Sequence, residues 1–214
     1  MTRRLIFWDV DTQHDFMRAD GRLYVPGSEE IIETVGALTD YAHAHRIPIV
    51  ASADDHEPGH RELHPTPDFR ETFPPHCLRG TPGQAKIAET ALRSPLVIEP
   101  EPAPPGLRER IHNHEGDFLL HKHWFDVFTN ANVDLLLETL APDRIVLYGV
   151  ALDVCDRYAM EGLLQRMPPA ALWLVHDATR AIDEAAGRSL IERWRAAGVY
   201  VVSATVVLAG KAMQ

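Results

Sequence analysis

The feature that most restricts what this chain can fold into is a rhythm, in which short β-branched or apolar runs recur with helical patterns between them. Parallel strands buried on both faces read as continuous apolar runs, and each needs a crossover to reach the next. Strands are expected at Leu5 to Val10, Ile47 to Ser52, Asp117 to His121, Arg144 to Gly149, Ala171 to His176 and Val199 to Val202. Helices are expected from Ser28 to His45, from Asn130 or Ala131 to Leu140, from Asp153 to Arg166 and from Asp183 to Ala197, where Gly198 ends the last. In the first, Ser28 is the N-cap and Ile31, Ile32, Val35, Leu38 and Tyr41 fall at helical spacing. The expected class is α/β with a six-stranded parallel sheet, and 214 residues suit one domain, 1–214.

One stretch breaks the rhythm. Asp54 to Gln84 is rich in Pro, His and Gly, and loops of that length in compact domains are functional or disordered. A second Pro-rich stretch, Glu99 to Pro105, reads as a plain connector. The net charge of −10 repels phosphate backbones and anionic lipid, so neither nucleic acid nor membrane is expected as a partner. The apolar run after the basic N-terminus stops at Asp9, too short for a signal peptide or a span. With only Cys77 and Cys155, free thiols in a reducing, cytoplasmic setting are expected.

Ligands of open α/β sheets bind outside the carboxyl ends of the strands. Asp11 follows the first expected strand, Asp54 and His56 the second, Lys122 ends the third, and Cys155 follows the fourth. Cys155 falls where Gly149-Val150-Ala151-Leu152-Asp153-Val154 turns from strand to helix, so the dipole of the helix favours its thiolate and free N–H groups there can receive an oxyanion. A small buried core residue is the plainer alternative for that position. Lys122 closes an apolar strand, where a cation would lower the pKa of a nearby thiol; a surface lysine is the alternative. Asp11 could take the thiol proton and return it to a leaving amine, whereas Asp9 and Asp15 suit structural roles as acceptors for loop N–H groups.

Asp54 and His56 lie two apart and face the same way in an extended segment. With a more distant His they form a plausible site for Zn, Fe or Mn.

Together these residues resemble the nicotinamidase branch of the isochorismatase-like cysteine hydrolases. The resemblance rests on Asp11-x-Gln13-x-Asp15-Phe16, on Asp54-x-His56 with Phe73-Pro74-Pro75-His76-Cys77-x-x-Gly80-Thr81-Pro82-Gly83, and on Gly149-Val150-Ala151-x-Asp153-x-Cys155. It implies a three-layer α/β/α sandwich, a triad of Asp11, Lys122 and Cys155, and a cis peptide between Val150 and Ala151. The N–H groups of Ala151 and Cys155 would form the oxyanion hole. It further implies one divalent metal on Asp54, His56 and His76, with His60, Glu62 and His64 all open as a fourth ligand. Phe16 and Phe73 match pocket positions of the family, and Trp124 and Val150 are placed in the same expected pocket. Asp55 stands where nicotinamidases usually carry an aromatic residue. The expected activity is hydrolysis of a small amide, nicotinamide first, in a homo-oligomer. Another amide, a carbamoyl compound or an isochorismate-like ether is the second possibility, and a non-catalytic binding protein on the same scaffold is the third.

Overall fold

Residues 4–213 are described by a computed structural model. The strands are β1 (Leu5–Val10), β2 (Ile49–Asp54), β3 (Leu96–Ile98), β4 (Phe118–Lys122), β5 (Arg144–Val150), β6 (Leu172–Arg180) and β7 (Tyr200–Val202). They form one sheet in the order β3-β4-β2-β1-β5-β6-β7, with every pairing parallel. The count is seven rather than six. The added strand, β3, is three residues long at a sheet edge, and Val97 is exposed, so its apolar run is too short to mark it as the central strands are marked.

The helices are α1 (His14–Met17), α2 (Ile32–Ala44), α3 (Leu107–His112), α4 (Val133–Leu140), α5 (Cys155–Leu164), α6 (Glu184–Ala197) and α7 (Ala204–Leu208). The expected first helix begins with a 3-10 turn, Ser28–Ile31, and Ser28 is not its N-cap: the hydroxyl donates to the Phe16 carbonyl instead. Helix α6 does have its side-chain cap, Asp183, which accepts the N–H groups of Ala185 and Ala186. Gly198, in the left-handed conformation at φ 99°, ends it.

Alternation along β1 divides the interior into two cores. Ile6, Trp8 and Val10 face one layer, made with α3, α4, α5 and α6, through residues such as Leu136, Met160 and Trp194. Leu5 and Phe7 face the other, made with α1, α2 and α7, through Met17, Leu38 and Val207. The result is the expected α/β/α sandwich.

The sheet order places the site. From β1 the chain moves outward to β2, whereas β5 lies on the other side of β1 and leads outward to β6. Connections diverging in this way leave a crevice at the carboxyl ends of the central strands. Gly149 allows β1 and β5 to approach there: its φ is 134°, and a Cβ would stand 2.0 Å from the Val10 carbonyl oxygen.

Candidate active site

The end of β1, the last residues of β2 and β4, and the start of α5 bring Asp11, Asp54, Lys122 and Cys155 together at this rim. Lys122 is completely buried, and its Nζ lies 2.9 Å from Asp11 Oδ2 and 3.8 Å from Cys155 Sγ. It also pairs with Asp54 Oδ1. The ammonium thus faces two carboxylates and a sulfur, which is how a buried charge compensates the loss of water. Asp11 Oδ1 accepts from Ser52 Oγ at 2.7 Å, fixing the carboxylate on β2. Its Oδ2 faces the ammonium without hydrogen-bond geometry.

Burial dominates the titration of this cluster. It raises the Asp11 carboxyl, with Lys122 opposing, and it drives the Cys155 thiol well above its ordinary value, again against Lys122. The direction is opposite to that expected from the helix dipole, because the desolvation of sulfur outweighs the nearby cation. Lys122 itself stays charged, because Asp11 and Asp54 offset its burial.

The peptide between Val150 and Ala151 is cis, as the resemblance implied. In the turn that follows, the N–H groups of Val154 and Asp156 both donate to the Ala151 carbonyl. Among the described residues, the N–H groups of Ala151 and Cys155 carry no such loop or cap bond.

A cavity beside the thiol is lined by Phe16, Phe73 and Val150, and by Leu23, Val25, Phe125, Ala151, Val154 and Ile182. Its polar lining is Asp54, Glu62 and Cys155. Trp124 is outside this lining: its ring receives the Arg61 guanidinium at 3.7 Å and packs on Phe125, which takes the place in the wall.

Asp54, His56, Glu62 and His76 form a buried group whose ligand atoms all lie within 4.8 Å of one another. The fourth member is Glu62, not His60 or His64; His60 lies behind His56, and His64 bonds to Thr66 at the surface. Nε2 of His56 is 3.8 Å from Asp54 and 3.9 Å from Glu62, and Nε2 of His76 is 3.4 Å and 3.5 Å from the same two. Both Nε2 atoms and Glu62 Oε2 are buried without a hydrogen-bond partner. Two imidazoles and two carboxylates converging on one point, with orphaned atoms between them, fit a divalent cation. Burial holds His56 down to about 4, whereas the adjacent carboxylates of Asp54 and Glu62 overcome burial and lift His76 to about 10.

Other motif residues are structural. Asp15 accepts the N–H groups of Arg22 and Cys77, and Asp9 accepts from Lys86 and Thr12. Gln13 accepts the Asp54 N–H and donates to the carbonyls of Asp54 and Gln84, anchoring the long loop to β2. Asp55 is bound by Arg79, which explains a carboxylate there. Asp156, next to Cys155, is fully buried with neither oxygen partnered, and burial drives its carboxyl well up.

The isochorismatase domain family matches residues 5–206. A nicotinamidase/pyrazinamidase of Mycobacterium tuberculosis (strain ATCC 25618 / H37Rv) is 38% identical over 79 residues, a match spanning 35% of this chain and 39% of that protein. The pyrazinamidase of Pyrococcus horikoshii, solved in complex with zinc, superposes with a TM-score of 0.70 at 21% identity, covering 94% of this chain and 99% of that one. PnC1 from L. infantum, solved with nicotinate, gives 0.71 at 20% identity over 96% and 95%. N-carbamoylsarcosine amidase from Thermoplasma acidophilum gives 0.67 at 23% over 94% and 96%.

Proposed function

Because the chain belongs to the isochorismatase family, we propose that it is a metal-containing cysteine amidohydrolase acting on a small uncharged carboxamide, nicotinamide foremost. The observation that carries this reading is the placement of one buried ammonium, Lys122, against both a carboxylate and a thiol at the wall of an apolar cavity. The names of relatives similar in sequence and in fold, a nicotinamidase/pyrazinamidase and a nicotinate-bound protein, point the same way.

In the first step Asp11 takes the proton of the Cys155 thiol as sulfur bonds to the amide carbon. Burial raises the Asp11 carboxyl and so makes it a stronger proton acceptor than an exposed carboxylate. The carbonyl oxygen becomes an anion received by the N–H groups of Ala151 and Cys155. Asp11 passes its proton to the amide nitrogen, the C–N bond breaks, and ammonia leaves a thioester on Cys155. Water then gives a proton to Asp11 and adds to the thioester. Cleavage of the C–S bond frees the carboxylic acid, and the Asp11 proton returns to sulfur. Throughout, Lys122 keeps positive charge beside both groups.

A divalent cation on Asp54, His56, Glu62 and His76 would anchor a ring nitrogen of the substrate, and zinc, iron and manganese all suit this donor set. Among the described residues no arginine or lysine lines the cavity, and Lys122 is committed to Asp11 and Asp54, so apart from the proposed cation no side chain there pairs with a carboxylate on the substrate. This disfavours isochorismate-like ethers and carbamoylated amino acids.

The test is ammonia release from nicotinamide, benzamide and N-carbamoylglycine by the zinc-loaded protein. Nicotinamide should be the best substrate and N-carbamoylglycine the poorest. The opposite order would overturn the assignment, and no turnover of any amide would favour a non-catalytic binding protein.

A further inference from the structure

A histidine serves a metal only through a nitrogen that carries no proton, so something must hold the proton on the other one. For His76 the holder is backbone. Its Nδ1 lies 2.7 Å from the Pro74 carbonyl oxygen, which only accepts, so Nδ1 carries a proton and Nε2 is the nitrogen turned toward the carboxylates.

For His56 the holder is a side chain. Its Nδ1 lies 3.4 Å from Nδ1 of His60. The Glu57 N–H donates to that same His60 atom at 3.2 Å, so His60 Nδ1 is bare. Two bare nitrogens facing each other would repel, and the proton between the rings therefore belongs to His56 Nδ1. His56 Nε2 is then left with its lone pair, aimed between Asp54 and Glu62. His60 is itself held, its ring packed on His123 with centroids 4.3 Å apart.

We propose that His60 is a positioning residue for the metal centre, fixing the His56 tautomer without being a ligand. The proposal rests on the metal reading of Asp54, His56, Glu62 and His76 given above. Without an acceptor at Nδ1, the proton of His56 would move toward Nε2, where two carboxylates attract it, and would block the lone pair that the metal needs.

The test is zinc affinity by competition with a chromophoric chelator, on the full chain, for wild type, His60→Ala, His60→Asn and His64→Ala. Loss of an outer residue that orients a ligand weakens metal binding by roughly 10- to 100-fold. That loss is expected for His60→Ala. His60→Asn should keep wild-type affinity, because its amide oxygen can stand where Nδ1 stood, and His64→Ala should be unchanged. Nitrogen NMR of the metal-free protein should show His56 protonated at Nδ1 in wild type and at Nε2 in His60→Ala, a change that loosened packing alone would not produce. Metal-free melting checks that each variant is folded.

Wild-type affinity in His60→Ala, or an equal loss in His60→Asn, would overturn the proposal. Wild type that binds zinc but releases no ammonia would sink the amidase reading and leave this inference standing. Wild type that binds no zinc would sink it.

Discussion

Nζ of Lys122 lies 2.9 Å from Oδ2 of Asp11, with neither side chain reaching solvent. The same ammonium pairs with Asp54, so three buried charges depend on one another. Lys122→Met would leave two buried carboxylates with their main compensating charge removed. Breaking a buried pair from one side costs roughly 3–5 kcal/mol, and a urea titration of the metal-free protein should show a loss of that order. A loss below about 1 kcal/mol would match an exposed pair and would contradict the burial.

The thiol is neutral at rest. Burial pushes the Cys155 thiol well above its ordinary value, and the nearby ammonium does not reverse this. In a Cys77→Ser background, alkylation of the free enzyme by iodoacetamide should be slow at neutral pH and still rising above about pH 9. A rate that levels off near neutral pH would mean a resting thiolate.

Asp156 stores instability that depends on pH. Its folded carboxyl is raised above the unfolded value, so the folded state binds the proton more tightly. The contribution is full below the unfolded pKa, about 3.9, and is lost as pH rises toward the folded value. Asp156→Val removes the group, and at pH 7 it should stabilise the protein by roughly 1–3 kcal/mol, the cost of an unsatisfied buried polar group. The gain should shrink toward pH 4. Destabilisation at neutral pH would show that Asp156 has a partner in solution.

Glu62 distinguishes the four-residue metal group from the three ligands expected from sequence. Saturating zinc at a hundred times its dissociation constant stabilises a folded protein by about 2.7 kcal/mol. Glu62→Ala should lose most of the zinc-induced rise in melting temperature, and His64→Ala should lose none. An undiminished rise in Glu62→Ala would remove Glu62 from the centre.

What the sequence disclosed follows from what leaves a periodic trace. The central strands β1, β2 and β5 were legible because residues such as Phe7, Val50 and Val146 are buried in continuous runs, and β4 because Phe118, Leu119 and Leu120 form an apolar run before Lys122. Strand β3 and helix α3 were missed because three edge residues and a six-residue helix beside prolines leave too little pattern. Asp11, Lys122 and Cys155 stood out because each follows or ends a buried strand. Glu62 did not separate from His60 and His64, since an irregular loop has no period to say which side chain turns inward. Asp156 in a helical first turn reads as an ordinary acidic residue, and only the packing of α5 on the sheet shows that it is buried. Phe125 lines the cavity and Trp124 does not, and adjacent aromatics after a strand offer no local sign of which one faces inward.

The central claim is a covalent step at Cys155, and the most direct measurement is mass spectrometry of the zinc-loaded protein quenched during turnover of nicotinamide. The account predicts a nicotinoyl group on Cys155 that disappears when substrate is exhausted, with no adduct and no ammonia from Cys155→Ala. Ammonia release by Cys155→Ala at the wild-type rate would contradict it.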